Sequence, residues 1–340
     1  MTAPATSRAA RALGLASASV LCFLAASALG ITVLGKVYRP EIVMDLAPPP
    51  APKVVKPRPA AASAPPPAAI DKPIFAGRAL IADPALIENT PQGPLPRVAD
   101  DGRTPMTAYA APALSGKFRI AIVVSGLGLS AKATAAALTG LPPAVTLAFA
   151  PYASDLQRWI SQARQQGHEA LLEVPMEPFD FPDSDPGPHT LRSGVERDAN
   201  GERLSWVLSR ITGYAGVTNL LGQRFMTDAD ALSPAMTQFA RRGLYFYDNG
   251  AVAQSTAADV ATRLSAPFVK ANETLDGIQT ALEIDKHLSD LENAARAHGS
   301  AVGSAFLYPI SIERIALWSK GLEKRGFVLV PLSAIVTQPK

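Results

Sequence analysis

Cysteine is nearly absent. Cys22 is the single one in 340 residues and lies in an apolar run, so neither a disulfide framework nor a thiolate metal site can be built. That scarcity is compatible with an oxidising compartment. Aromatic residues make up 6% of the chain, and no basic stripe interleaves with them, which argues against a nucleic-acid partner. There is no Gly-x-Ser-x-Gly elbow and no Walker loop, which removes the corresponding acyl-transfer and P-loop classes. No internal repeat is visible.

Charge and proline are present but unevenly spread. Residues 1–115 hold 11 of the 32 Lys/Arg and 7 of the 29 Asp/Glu, leaving 21 and 22 for the rest, so the net +3 belongs to the N-terminal part. Seventeen of the 31 prolines lie between Pro40 and Pro112. Ala12 to Gly35 contains no charged residue, with Arg8 and Arg11 before it and Lys36 and Arg39 after it. A run of that length spans a bilayer. We expect residues 1–11 to be a cytoplasmic tail and 12–35 an uncleaved inner-membrane anchor; a cleaved signal peptide is the alternative, because Ala26–Leu29 offers small residues for cleavage. The C-terminal part is then expected outside the cytoplasm, in the periplasm. Residues 36–115 read as a disordered Pro/Ala-rich spacer, with runs at Pro48–Pro50 and Pro65–Pro67. Such text tends toward extended polyproline II at about 3.1 Å per residue.

From Lys117 the pattern changes to strands alternating with helices. Strands are predicted at Phe118–Val124, Ala144–Ala150, Ala170–Val174, Gly216–Asn219, Leu244–Tyr247, Pro267–Lys270, Ala301–Phe306 and Phe327–Val330. Helices are predicted at Ser130–Leu138, Asp155–Gln166, Leu204–Ile211, Pro234–Arg242, Thr256–Leu264, Ile278–His298 and Ile312–Arg325. This alternation predicts one parallel α/β domain over 116–338, open or closed into a barrel.

The stretch 168–191 is the one around which function is expected to gather. The strand Ala170–Val174 is followed by Pro175 and Pro178, which should end it because neither donates to a ladder. The loop beyond carries Glu177, Asp180, Asp183, Asp185 and His189 among further prolines. Burying these acids together is costly, so the loop must be solvated, paired or bound; a solvated crossover whose acids keep it soluble is the plain alternative. Glu173 is an acid ending an apolar strand, suited to general-base work or to bonding a sugar hydroxyl, or else to pairing with an arginine such as Arg224. Glu177, between two prolines, fits a ligand contact or a loop brace. Asp248-Asn249-Gly250 and Asp276-Gly277 end strands and read as turns or as pocket residues.

Ser125-Gly126-Leu127-Gly128-Leu129-Ser130-Ala131 formally fits Gly-x-Gly-x-x-Ala. The acid that a dinucleotide site needs about 20 residues on is missing, so it reads as a tight turn. His298 sits in a last helical turn, His287 on an amphipathic helix and His168 before a strand; only His189 could join carboxylates, and its spacing gives no ligand set. Trp159, Trp206 and Trp318 fall in helices and read as core, whereas Tyr152, Phe179, Phe181 and Tyr308 lie at strand ends where sugars stack.

Ile120–Gly128, Val174-Pro175-Met176-Glu177-Pro178, Asp185-Pro186-Gly187-Pro188, Gly216-Val217-Thr218-Asn219 and Leu329–Ser333 occur in order at separations that resemble the divergent polysaccharide deacetylase family, of the NodB-like superfamily. The resemblance covers about residues 117–336. It implies an irregular (β/α) barrel of about seven strands with its site at the strands' C-terminal ends, and a metal held by one Asp and two His that removes acetyl groups from a glycan. Several positions depart from that pattern. Ser125-Gly126 stand where the family has Asp-Asp, and Glu173, Leu220 and Phe306 stand where it has His. Glu177, Asn219, Asp248 and Asp276 are retained counterparts.

The expectation is therefore a membrane-anchored envelope protein that binds a cell-wall polysaccharide or an envelope partner, with no metal and no cofactor. Glu173, Glu177 and Asp248 are its catalytic candidates. Ser125, Asn219, Arg224, Asp276, Asp185 and His189 are the candidates for substrate contact. A deacetylase or hydrolase rebuilt around Glu173 and Glu177, with zinc or another divalent metal, is the enzymatic alternative. A purely structural interaction module is the third.

Overall fold

The computed structural model describes residues 82–337. The N-tail 1–11, the run 12–35 and the spacer up to residue 81 lie outside the described residues. Among the described ones no helix is long and apolar enough to cross a membrane.

The expected disordered spacer does not extend to residue 115. Strands β1 (Ile87–Thr90) and β2 (Gly93–Pro96) pair as an antiparallel hairpin. Helix α1 (Pro105–Tyr109) then starts on Thr104, whose side chain and that of Thr107 cap each other's backbone. Composition averaged over the segment hides the anchors: Leu86, Met106 and Tyr109 are buried against the strands that follow.

Those strands are β3 (Phe118–Leu127), β4 (Thr146–Phe149), β5 (Ala170–Met176), β6 (Gly216–Leu221), β7 (Tyr245–Asp248), β8 (Phe268–Lys270), β9 (Glu273–Thr274), β10 (Ser300–Phe306) and β11 (Phe327–Leu329). They form one parallel sheet in the order β8-β7-β6-β5-β4-β3-β10-β9, with β11 beside the start of β3. Eight strands in the main path, rather than about seven, make the curled wall. Its edges, β8 and β9, are separated by only Ala271 and Asn272. Ala271 N–H donates to Asp248 O at the end of β7 (2.9 Å), and Asn272 N–H donates to Val302 O in β10 (2.8 Å). The Asn272 side chain accepts from Val302 N–H at 2.7 Å. Two residues thus close the seam where no regular ladder runs.

Helices α2 (Ala131–Gly140), α3 (Leu156–Gln165), α4 (Arg197–Leu208), α5 (Ala229–Arg241), α6 (Ala257–Leu264), α7 (Ala281–His298) and α8 (Pro309–Ser319) cover the outside. Helix α4 starts earlier than predicted because Asp198 and Asn200 dilute its apolar pattern. Helix α5 starts at the Asp228 cap, whose carboxylate accepts from Asp230 and Ala231 N–H. The strands alternate cleanly. Ile120, Ile122, Leu147, Leu172, Val217 and Phe246 pack under the helices, while Ala121, Val123, Ala148, Leu171, Tyr245, Tyr247 and Val302 fill the interior with Leu86, Met106 and Tyr109.

Pro175 does not end β5. It pairs in register with Leu220, and β4 has already stopped at the level of Leu172. The side lacking an N–H faces the returning loop, where Leu191 N–H donates to Pro175 O at 2.9 Å. Proline is tolerated at such an edge. At the opposite end of the strand, the buried Glu169 carboxylate accepts from Ala111 N–H (3.1 Å), Tyr245 OH (2.7 Å) and Ser333 N–H (3.0 Å). One side chain therefore ties the segments before β3 and after β11 into the barrel floor.

Candidate functional site

The C-terminal strand ends form the mouth of the barrel, where parallel α/β folds place their chemistry. Polar inward positions there include Ser125 on β3, Glu173 on β5, Thr218 on β6 and Tyr247 on β7, with Glu173, Thr218 and Tyr247 paired in register. Glu173 has no solvent exposure. Its Oε1 accepts from Gly126 N–H at 2.5 Å. Burial pushes its carboxyl up to about 8, partly offset by that bond, so it carries a proton at neutral pH. Glu173 Oε2, Ser125 Oγ and Thr218 Oγ1 are buried without a protein partner among the described residues. Arg224 is not the counter-ion: it is exposed, and its backbone N–H is what reaches this region, donating to Glu177 O at 3.0 Å.

Phe306 pairs in register with Ser125, and its ring lies over Gly126. A Cβ on Gly126 would come within 2.5 Å of the ring, and its φ of +85° is itself a glycine conformation. The ring meets Tyr308, with centroids 5.1 Å apart. Asp276 holds the strand end from behind, accepting from Phe306 N–H at 2.7 Å and Ser311 Oγ at 2.6 Å; burial raises its carboxyl above the usual range. Asp276 is therefore a structural anchor of the mouth. It is buried, and its Oδ2 is engaged by both donors.

Asn219 and Asn249 clasp each other across β6 and β7: Asn219 Nδ2 donates to Asn249 Oδ1 (3.0 Å), and Asn249 N–H donates to Asn219 Oδ1 (3.1 Å). Asn249 was singled out only within a turn, because its role depends on a strand neighbour 30 residues away. Asp248 is fully buried; its Oδ1 accepts from Gly250 N–H at 3.0 Å, and its Oδ2 has no protein partner among the described residues. Glu177 Oε2 accepts from Ser193 N–H at 2.7 Å. Its own N–H donates to Leu191 O at 2.9 Å, which makes it a loop brace.

The acid-rich loop does not gather its acids around His189. That ring stacks on Trp206 with centroids 3.6 Å apart and lies beside Tyr152. Burial first, then Arg210 and Arg203, lower its pKa. Trp206 is partly buried against the core and also joins this aromatic stack, while Trp159 is buried. Asp185 is exposed and accepts from Gly187 N–H at 2.8 Å within its own turn. Gly126 and Gly128 give their N–H groups to Glu173 and Thr134, leaving neither for a phosphate.

These residues do not fit a divalent cation. The positions that the resemblance assigns to ligands hold Ser125, the side-chain-free Gly126, a lone carboxyl at Glu173, the half-buried Leu220 and the ring of Phe306. Hydrocarbon, a glycine and one hydroxyl beside a single carboxyl do not make a ligand set for such an ion. Among the described residues no three His, Cys, Asp or Glu side chains gather closely enough to hold one.

A groove of about 820 Å³ lies elsewhere, along helices α4 and α5, lined by Arg192, Asn200, Leu204, Phe225, Asp228 and Gln238 among others. The mouth carries Ser125 Oγ, Glu173 Oε2, Thr218 Oγ1 and Asp248 Oδ2 without a protein partner among the described residues, on strands matched in register, whereas the groove carries Arg192 Nε.

Comparison with known proteins places the chain. The profile described as divergent polysaccharide deacetylase matches residues 122–336. A crystal structure of an uncharacterized protein from Agrobacterium tumefaciens C58 superposes with a TM-score of 0.71 at 44% identity, covering 72% of this chain and all of that one. The uncharacterized protein YibQ of Escherichia coli K12 is 22% identical over 235 residues, which is 69% of this chain and 72% of YibQ. A Haemophilus influenzae protein is 23% identical over 194 residues, covering 57% and 68%.

Proposed function

The chain belongs to the divergent polysaccharide deacetylase family, and from that premise we propose that it binds a cell-wall glycan or an envelope partner without metal-dependent hydrolysis. We place it at the inner membrane through residues 12–35, with the barrel in the periplasm. One observation carries the reading: Phe306 lies over a side-chain-free Gly126, at positions where the resemblance implies a histidine and an aspartate. The strand-end side chains brace the fold instead, with Glu177 on Ser193 and Asp276 on Phe306 and Ser311.

The test is elemental analysis of the purified protein beside acetate release from acetylated chitooligosaccharides and peptidoglycan. The expected result is no stoichiometric metal and no acetate. Stoichiometric zinc with chelator-sensitive acetate release overturns the proposal.

A second reading has its own observation. Glu173 holds a proton up to about 8, as a general acid must, and Asp248 keeps a buried oxygen free of protein partners. Under it, metal-independent acetate release is abolished by Glu173→Gln; release that survives that substitution removes the reading.

A further inference from the structure

We infer that the floor of the barrel docks on an anionic bilayer surface through a cationic face at the start of β3, β10 and β11. The inference rests on the inner-membrane placement proposed above and gives the barrel an orientation there. The three strands run parallel, with β10 and β11 both paired to β3, so the segments that enter them, 112–119, 296–300 and 323–327, meet at one end. Those segments hold Lys117, Arg119, Arg296, Lys324 and Arg325 against the single acid Glu323. Arg325 is taken by Glu292 at 2.9 Å. The other four make no ion pair among the described residues. Neutral groups hold three of them: Lys117 Nζ lies 5.0 Å from the centroid of the Phe118 ring, the Arg296 guanidinium lies 4.5 Å from that of Phe327, and Arg119 Nη1 donates to Ala334 O at 3.0 Å. Leu114 lines a shallow recess of about 500 Å³ with Lys117 and Arg119 and is 64% exposed. An open apolar side chain among cations suits the boundary between headgroups and acyl chains.

Charge over the whole barrel is polarised in the same sense. The loops that lead into strands, 110–117, 141–145, 166–169, 209–215, 242–244, 265–267 and 320–326, hold six Lys/Arg against Glu169 and Glu323. Glu169 is buried and engaged by three donors. The loops that leave strands, 128–130, 150–155, 177–196, 222–228, 249–256, 275–280 and 307–308, hold Arg192 and Arg224 against eight Asp/Glu. A negative surface therefore attracts the floor and repels the mouth. The four acids of 82–111 do not offset the floor, because each is paired: Asp83 and Asp101 with Arg103, Glu88 with Arg242, and Asp100 with Arg97. An acidic protein would meet the same charges, but the course of the chain favours the bilayer. The described chain begins at Ala82, which stands beside Gly213 just before β6 and so at the floor. The floor is thus the end from which the chain leads back, through residues 36–81, to the apolar run 12–35.

The experiment places the full chain in vesicles of phosphatidylcholine, with or without about one third phosphatidylglycerol, whose headgroups carry a quencher. Cys22→Ala removes the single cysteine, and a dye is attached at the floor through Ser115→Cys or at the mouth through Ala253→Cys, both exposed positions. The floor dye is expected to be quenched at least about threefold more in the anionic vesicles than in the neutral ones, and about 0.5 M NaCl is expected to abolish the difference. The mouth dye is expected to read alike in both. Lys117→Glu with Lys324→Glu, two exposed side chains, is expected to remove the difference, and Lys132→Glu, exposed beside the mouth, to leave it unchanged. A floor dye quenched equally in the two lipids, or less than the mouth dye, overturns the docking and leaves the cationic face for an acidic protein. Flotation with neutral vesicles reads the anchor separately, and a chain that fails to float with them overturns the placement through residues 12–35. Docking then stands only if that chain floats with anionic vesicles and is released by salt, and falls if it does not.

Discussion

Replacing Glu173 by Gln isolates the buried carboxyl that the mouth is built around. The amide keeps an oxygen for Gly126 N–H and nearly the same volume, and it removes the titration. In the folded protein the carboxyl ionises at about 8, against 4.5 for the unperturbed group. Below pH 4.5 both folded and unfolded chains hold the proton. Between there and about 8 the unfolded chain releases it while the folded chain keeps it, so this group's contribution to stability falls as pH rises. At about 1.4 kcal/mol per pH unit the loss amounts to something on the order of 5 kcal/mol across that window. Asp276 and Glu169 are raised by burial as well and act in the same direction in both proteins, so the difference between wild type and variant belongs to residue 173. Urea denaturation of both proteins at several values from about pH 5 to about pH 9 measures it. The variant is expected to lose several kcal/mol less than wild type over that range. Parallel stability profiles for the two proteins would refute the buried, protonated carboxyl.

Three further outcomes follow from the geometry. Gly126→Ala places a Cβ within 2.5 Å of the Phe306 ring at a φ of +85°; a loss of about 2–4 kcal/mol in denaturant is expected, and a neutral substitution would mean that the ring does not rest there. Asn272→Ala removes the acceptor of Val302 N–H at the seam and should cost about 1–2 kcal/mol; an unchanged denaturation midpoint would show that the backbone bonds alone close the barrel. A chain beginning at residue 116 loses buried Leu86, Met106 and Tyr109 and the Ala111 donor to Glu169. With each buried side chain contributing roughly 1.5–3 kcal/mol, it should melt at least about 10 °C below a chain beginning at residue 82, and equal melting temperatures would contradict the packing of the N-terminal segment.

Much of the fold was legible because its signals are local. The runs Phe118–Val124, Ala170–Val174 and Ala301–Phe306 are apolar apart from Arg119, Glu173 and Ser304, as expected of strands buried on both faces. Stops such as Gly167, Gly243 and Gly299 have φ values of +99°, +70° and +81°. Strand β9 was missed because Glu273–Thr274 has two residues and no apolar pattern of its own. The hairpin β1–β2 and helix α1 were missed because their prolines outweigh the few side chains that anchor them.

The candidate site was legible as a set of positions and not as a set of contacts. That Glu173 interrupts an apolar strand and that Pro175 and Pro178 flank Glu177 ahead of an acid-rich loop is written in the chain, and the family resemblance implies that Ser125, Gly126, Leu220 and Phe306 stand where ligands would. Partners are not, because they come from distant segments: Gly126 for Glu173, Ser193 for Glu177, Asn249 for Asn219, Trp206 for His189. The period of the sequence determines which residues face inward along a strand. Only the closed sheet decides which inward residues meet, since register between strands is set by packing that no single segment contains.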